Sequence, residues 1–205
     1  DADRAVDKRR DPEKLLAFAG VRPGMRVFEL SAGAGYTAEL LARVVGPTGR
    51  VYAQDQTQER PWFARYNDRA KKPVMQNVVR VLRDFADPVP PEAKGLDLIT
   101  VFFAYHDIGY MPVDRAKMNR ALFDALEPGG HLVLADHSAK TGDGVTVVQT
   151  LHRIEESVVR RELEAAGFRL VAESNHLRNP DDPRTERVFQ PKVPVDEFVL
   201  KFVRP

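Results

Sequence analysis

The chain has 205 residues, of which 43% are hydrophobic, so one domain with a sizeable core is expected. Its 31 basic and 30 acidic side chains leave a formal net charge of +1, a balance that gives no support to a nucleic-acid partner. The lack of cysteine excludes disulfides, thiolate metal sites and a cysteine nucleophile, and no apolar run approaches the roughly 20 residues that span a bilayer.

Charge and capping residues place the first elements. Residues 1–10 are charged and carry almost no large apolar side chain, which predicts a flexible arm. The remainder, 11–205, is predicted to be a single domain. Asp11 followed by Pro12 is typical of a helix N-terminus, and Gly20 is predicted to end that helix.

A strand, a glycine turn and a helix follow one another over residues 27–45. The run Val-Phe-Glu-Leu at 27–30 predicts a buried strand. Gly33 and Gly35 can adopt positive φ and let a ligand approach the backbone. Apolar residues then give the helix a face that can pack on the sheet: Leu40, Leu41, Val44 and Val45. These parts together are typical of a cradle for a nucleotide.

Two cofactors fit this cradle. Gly33 to Ala38 matches the relaxed dinucleotide fingerprint, with Asp55 about 20 residues further on, so a nicotinamide dinucleotide stays open. Three features favour S-adenosylmethionine instead. Glu29, just before the turn, can hold the amino acid end of that cofactor, and Asp55, closing the next strand, can accept hydrogen bonds from both ribose hydroxyls. The third feature is a helix end, a Pro-Gly-Gly turn and a new strand over 126–134.

The rest of the chain alternates strands with helices. Strands are predicted over 78–82, 96–103 and 131–135, and helices over 58–70, 113–126 and 151–166. This alternation predicts an α/β fold with a doubly wound parallel sheet. Two further strands, near 168–173 and 197–203, follow with no helix between them.

Four segments resemble the class I S-adenosylmethionine-dependent methyltransferases: ELSAGAG at 29–35, VYAQD at 51–55, Arg-Asp-Phe at 83–85 and LEPGGHLVL at 126–134. Shorter stretches around 105–107, 111–115, 136–139 and 151–154 are similar to a bacterial group of predicted methyltransferases. The resemblance runs from about Pro12 to the end of the chain. It implies a Rossmann-like, mostly parallel sheet whose last two strands form an antiparallel hairpin at the edge. Ser31 departs from the pattern, because the class commonly has glycine there.

The predicted cofactor residues share one rim of the sheet, because ligands in open α/β sheets gather at the carboxyl ends of the strands. They are Glu29, Ser31, Gly33, Gly35, Asp55, Asp84 and Phe85. Asp84 is expected to meet the adenine amino group, and Phe85 to supply a backbone or stacking contact. The alternative for both acids, Asp55 and Asp84, is an ordinary turn residue that caps the next element.

Histidines are the candidate catalytic residues. Methyl transfer depends mainly on alignment, but an oxygen or nitrogen acceptor can also need a base whose pKa lies near the working pH. His106 and His137 follow the fourth and fifth strands, where the alternative is a hydrogen bond that shapes the loop. His152 and Glu155 lie in the first turn of the helix over 151–166; Glu155 is predicted to orient a histidine or to pair with an arginine.

The sequence therefore predicts methyl transfer from S-adenosylmethionine to a small-molecule oxygen or nitrogen acceptor. An NAD-dependent oxidoreductase is the first alternative, and a non-catalytic binding protein that retains the fold is the second, kept open by Ser31. No metal site is predicted, because the histidines and acids at 106–107 and 136–137 lack the helical i, i+4 spacing of strong sites. Neither a nucleic-acid partner nor a membrane span is expected. The location stays open between the cytoplasm, the default, and export after cleavage of a signal.

Overall fold

The computed structural model describes residues 3–56 and 60–205. In these residues a seven-stranded sheet has the order β3-β2-β1-β4-β5-β7-β6. The strands are β1 (Arg26–Glu29), β2 (Arg50–Asp55), β3 (Val78–Leu82), β4 (Leu96–Phe102), β5 (Leu126–His137), β6 (Arg169–Ser174) and β7 (Glu197–Val203). The first five pair in parallel, and β7 runs antiparallel between β5 and β6. The predicted fold class is confirmed, including the antiparallel hairpin at the edge.

Helices cover both faces of this sheet. They are α1 (Arg4–Arg10), α2 (Pro12–Ala19), α3 (Tyr36–Val45), α4 (Phe63–Ala70), α5 (Tyr105–Ile108), α6 (Arg115–Ala125), α7 (Val148–Leu151) and α8 (Glu156–Ala165). Successive strand residues point to opposite faces, so Val27 joins the core under α2, α3 and α4, whereas Phe28 joins the core under α6 and α8. No helix in the described ranges is long and apolar enough to cross a membrane.

Helix α2 begins and ends where its capping residues predict. The Asp11 carboxylate accepts a hydrogen bond from the Lys14 amide, and Pro12 occupies the first turn, where its missing N–H costs nothing. Gly20 ends the helix in the left-handed region, at φ 76°.

Residues 4–10 of the predicted flexible arm form the helix α1, which has partners on the domain; residues 1 and 2 of that arm lie outside the described part of the chain. The Tyr36 hydroxyl donates a hydrogen bond of 2.6 Å to Asp7, and Arg10 lies over the Phe103 ring, 4.5 Å from its centroid. Arg9 lies 3.7 Å from Glu197. The charges that suggested an arm are thus paired with the ends of α3, β4 and β7.

The helix predicted over 151–166 is wrong in its first turn. Helix α7 ends at Leu151, His152 adopts a left-handed φ of 55°, and α8 begins only at Glu156. Between them Ile154 pairs with the end of β5, because its amide donates to the His137 carbonyl and its carbonyl accepts from the Ala139 amide, both at 3.0 Å. These strand-like bonds outweigh the helical pattern.

Two other predicted boundaries shift. The helix predicted over 58–70 appears as α4, which starts at Phe63; residues 57–59 lie outside the described part of the chain. Strand β5 is longer than the predicted 131–135, since its amino end pairs with residues beyond β7: the Gly129 amide donates to the Arg204 carbonyl at 2.8 Å.

A buried carboxylate on α3 connects three segments of the chain. Glu39 accepts hydrogen bonds from Arg69 of α4, from Lys72 at 2.7 Å and from Arg43 at 2.6 Å. Arg69 in turn donates to Asp3, just before α1. Burial alone would raise the pKa of Glu39, but these cationic donors outweigh it and lower the pKa to about 2.

Replacing Glu39 by alanine is expected to lower the free energy of unfolding by about 2–4 kcal/mol, because it removes the buried anion that bonds Arg69, whose side chain is only 12% exposed. Lys71→Ala is the control, since Lys71 and Asp68 form a pair whose side chains are both 76% exposed; its cost should stay below about 1 kcal/mol. Urea unfolding followed by circular dichroism measures both variants. Equal effects of the two substitutions would contradict this account.

Candidate functional site

The turn after β1 is held by a buried glutamine that the sequence analysis missed. The Ser31 amide donates to Gln54 Oε1 at 3.1 Å, and Gln54 Nε2 donates to the Arg83 carbonyl at 2.8 Å. Ser31 takes a φ of 62°, the left-handed region that glycine normally fills. The hydrogen bond that the Ser31 amide donates to Gln54 helps to hold serine in this conformation. Gln54 is completely buried in β2 and directly follows the run Val-Tyr-Ala at 51–53, which is buried on both faces of the sheet; a polar residue in such a run is the signal that could have identified it.

The two glycines of this turn have different surroundings. Both have positive φ, 55° at Gly33 and 75° at Gly35. A Cβ at Gly35 would lie 2.8 Å from Cδ2 of Tyr66, so packing against α4 requires glycine at this position. A Cβ at Gly33 would only reach ordinary contact, 3.9 Å, with Trp62. Gly33 is therefore the position where a ligand can approach the backbone.

Glu29, the last residue of β1, is a buried acid with an incomplete set of partners. Its side chain is 4% exposed, and Oε2 accepts no hydrogen bond within the described residues. Burial raises the pKa of Glu29 to about 8, against the Thr37 hydrogen bond and the positive charge of Arg10. An orphaned carboxylate oxygen beside the turn suits a ligand that brings an ammonium group, as the amino acid end of S-adenosylmethionine does.

The two predicted turn acids lie along the same rim. Asp55 ends β2 and accepts hydrogen bonds from the Gln56 amide at 2.8 Å and from Trp62 Nε1 at 3.4 Å. Asp84 is exposed and caps its own turn by accepting from the Ala86 amide at 2.8 Å. A cavity of about 420 Å³ opens beside it, lined by Gln56, Arg60, Asp84, Tyr110, Met111, Pro112 and Val113. Asp84 thus caps its own turn, which was the alternative considered from sequence, and it also lines a cavity.

Phe85 does not present its ring at this rim. The side chain is buried in the core beneath α6 and α8, so stacking on a ligand, one of its two predicted contacts, is wrong. Its backbone remains beside Asp84.

Three histidines meet where β4 and β5 end. The His106 ring lies 5.2 Å from that of His137 and 5.6 Å from that of His152, centroid to centroid. Asp136 accepts hydrogen bonds from the backbone amide and from Nδ1 of His106, at 2.9 and 2.6 Å. Asp107 Oδ1 lies 3.2 Å from His106 Nε2 and 3.1 Å from His152 Nδ1. Three of the four predicted catalytic residues are therefore neighbours.

The histidines of this cluster differ in protonation. Burial would lower the pKa of His106, but the charges and hydrogen bonds of Asp136 and Asp107 outweigh it and raise the pKa to about 10. Burial lowers the pKa of His137, although Glu197 lies 2.9 Å from its Nδ1, out of line for a hydrogen bond. At neutral pH His106 is therefore the positively charged imidazolium, and His137 is the uncharged imidazole.

Glu155, the fourth predicted catalytic residue, lies outside the cluster. Its carboxylate accepts hydrogen bonds from the amides of Gly142 and Gly144, at 3.0 and 2.9 Å, and from the Ser157 hydroxyl at 2.6 Å. The predicted contact with a histidine is wrong because these donors hold Glu155 over the loop before α7. The predicted arginine partner is also wrong: Arg153 is buried and pairs with another acid.

The chain matches a known protein family over most of its length. Residues 13–168 match the family described as Protein-L-isoaspartate(D-aspartate) O-methyltransferase (PCMT). The ubiquinone/menaquinone biosynthesis C-methyltransferase UbiE of Vibrio vulnificus is 26% identical over 84% of this chain, which spans 65% of that relative's length. The protein-L-isoaspartate O-methyltransferase of Aeropyrum pernix is 33% identical over 59% of this chain and 42% of its own.

Solved structures share the fold. A SAM-dependent methyltransferase from Aquifex aeolicus superposes with a TM-score of 0.73 at 23% identity, covering 99% of this chain and 94% of its own. Fibrillarin from Aeropyrum pernix, with natively bound S-adenosyl-L-methionine, gives a TM-score of 0.59 at 18% identity, over 94% and 74%. These matches favour neither the nicotinamide-dependent alternative nor a non-catalytic protein. The chain belongs to the Protein-L-isoaspartate(D-aspartate) O-methyltransferase (PCMT) family, within the class I S-adenosylmethionine-dependent methyltransferases.

Proposed function

We propose that the protein transfers the methyl group of S-adenosylmethionine to an oxygen or nitrogen atom of a small-molecule acceptor. The orphaned carboxylate of Glu29 beside the open turn at Gly33 is the observation that carries this proposal. In the reaction the acceptor atom forms a bond to the methyl carbon while the carbon–sulfur bond breaks. Its electron pair stays on sulfur, and S-adenosylhomocysteine leaves.

Each rim residue has a part of the cofactor to meet. Glu29 receives the ammonium group, and Gly33 lets the amino acid end lie against the backbone. Asp55 accepts hydrogen bonds from the ribose hydroxyls, and Asp84 accepts from the adenine amino group in the cavity it lines. The backbone of Phe85 lies beside that position. Ser31 contributes indirectly, because its hydrogen bond to Gln54 holds the turn in shape beside the cofactor.

The acceptor belongs at the histidine cluster. The names of the relatives include both a C-methyltransferase and an O-methyltransferase, so the family alone does not fix the acceptor atom. A base is needed when the atom carries a proton that must leave, which suits oxygen or nitrogen. His106 is protonated on both ring nitrogens at neutral pH, so it cannot accept the proton of the acceptor. The neutral His137, whose ring is 5.2 Å away, is the proposed proton acceptor.

Replacing Asp55 by alanine is expected to weaken binding of S-adenosylhomocysteine by about 10–100-fold, since charge-assisted hydrogen bonds to the ribose are lost. Isothermal titration calorimetry on the purified chain measures the affinity. Asp68→Ala removes an exposed acid of α4 and serves as the control, with affinity unchanged. Unaltered affinity in the Asp55 variant would refute its ribose contact.

Binding of S-adenosylhomocysteine near pH 7 is expected to release about one proton. Glu29, with a pKa of about 8, is mostly protonated before binding and must ionise to receive the ammonium group. Affinity should therefore increase as the pH rises toward about 8. Calorimetry in buffers of different ionisation enthalpy counts the proton, and Glu29→Gln should abolish its release. A binding enthalpy that does not depend on the buffer would argue against this role.

A further inference from the structure

We propose that His106, Asp107 and His152 form a binding site for a divalent transition-metal ion. Two imidazole nitrogens and one carboxylate oxygen converge there: His106 Nε2, Asp107 Oδ1 and His152 Nδ1 all lie within 4.8 Å of one another. The site stands at the rim beyond β4. It is separate from the turn and the acids assigned to the cofactor.

The spacing of these atoms suits a common coordination sphere. Metal bonds of about 2.0–2.2 Å, meeting at tetrahedral or octahedral angles, hold neighbouring ligand atoms about 3.0–3.5 Å apart. Asp107 Oδ1 is 3.2 Å from His106 Nε2 and 3.1 Å from His152 Nδ1. Two histidines and one carboxylate on one side leave further positions open, an arrangement typical of iron, cobalt or zinc rather than of magnesium or calcium.

A second carboxylate, that of Asp136, fixes the orientation of the His106 ring for metal binding. Asp136, fully buried, accepts a hydrogen bond from Nδ1 of His106 at 2.6 Å and from its backbone amide at 2.9 Å. Metal-bound histidines usually donate their other ring N–H to such a carboxylate, which fixes the tautomer and the ring. Nε2 of His106 then points at the Asp107 carboxylate, and two acceptor atoms 3.2 Å apart require a cation between them. A proton or a metal ion can supply that charge.

The open side of the site is reachable. The Asp107 side chain is 40% exposed and that of His152 is 18% exposed. Two aromatic rings stand edge-on to His152, Tyr110 at 6.3 Å and Phe189 at 4.8 Å between ring centroids. They give this site an aromatic side, against which an acceptor molecule can lie.

The break between α7 and α8 creates this site. In a continuous helix over 151–166, His152 would project from the first turn of that helix. Two histidines at positions i and i+4, the usual local sign of a metal site, also require a continuous helix. In the structure His152 leaves α7 in the left-handed conformation, and its Nδ1 faces Asp107 of α5. The proposed ligands come from two separate segments of the chain, so a short sequence motif could not have predicted the site.

The chemical role of the ion rests on the proposed function. A cation held by His106, Asp107 and His152 would stabilise the oxyanion that forms when an acceptor hydroxyl loses its proton. His137, whose ring lies 5.2 Å from that of His106, would accept this proton, and the oxygen would use its freed electron pair to form the bond to the methyl carbon. The carbon–sulfur pair returns to sulfur, so charge and atoms balance without an oxidant or reductant.

Titration of the full chain with Co²⁺, followed by visible absorption, tests the site. We expect one tightly bound ion with the d–d bands of imidazole-bound cobalt. Asp107→Asn and His152→Ala should each weaken binding by about tenfold or more. His131→Ala is the matched control, since His131 lies in the middle of β5, opposite Val203 of β7, and its replacement should leave binding unchanged. Circular dichroism checks that every variant is folded.

Binding of Co²⁺ to wild type that is no tighter than to folded His152→Ala and Asp107→Asn would overturn the proposal, and the cation between His106 and Asp107 is then a proton. Binding of S-adenosylhomocysteine is measured on the same samples. If it persists while Co²⁺ fails, only the metal site is refuted. If Co²⁺ binds at this site and the nucleoside does not, the metal site stands and the proposed function is refuted.

Discussion

The side chain of Gln54 holds together the part of the rim that β1, β2 and β3 form, where the proposed cofactor residues lie. The side-chain amide links the turn after β1 to the end of β3. The backbone carbonyl of Gln54 accepts a hydrogen bond from the Ala32 amide at 2.7 Å. Buried amides of this kind are costly unless both ends are paired, and here both are. Three strand ends are thus fixed relative to one another, and the acids that follow these strands inherit that alignment.

The rim divides into two regions of different electrostatics. Around Glu29 a carboxylate stays largely protonated in the folded chain because burial outweighs its cationic neighbours, so it can gain charge when a cation arrives. Around His106 two carboxylates surround one imidazole, and positive charge is held there in advance. The first region suits the cationic cofactor, and the second suits an acceptor that develops negative charge as it loses a proton.

Local pattern was sufficient for the sheet and the cradle. Apolar runs bounded by turns predicted the strands, and Asp11, Pro12 and Gly20 predicted α2, because each signal lies within a few residues of its effect. Features that depend on distant partners were not predicted. Helix α7 stops before His152 because Ile154 bonds the end of β5, and Phe85 turns inward to a core assembled from several elements.

The same reasoning separates correct from incorrect site predictions. Glu29 and Asp55 follow strands, so their place on the rim is a property of the topology. Glu155 was placed by helical periodicity in a stretch that is not helical, and it caps a glycine-containing loop instead. Asp107 and Asp136 gained their importance only when the fold brought His106 between them.

Helix α1 lies across the rim, with Arg10 against Phe103 and Asp7 bonded to Tyr36. A nucleoside in the proposed cofactor site would therefore lie beside this seven-residue segment. Two of the contacts that hold this end of the chain, Arg9–Glu197 and Asp3–Arg69, are ion pairs with one exposed partner, and dissolved salt screens such pairs. Salt is therefore expected to loosen the attachment of the segment that borders the turn at Gly33.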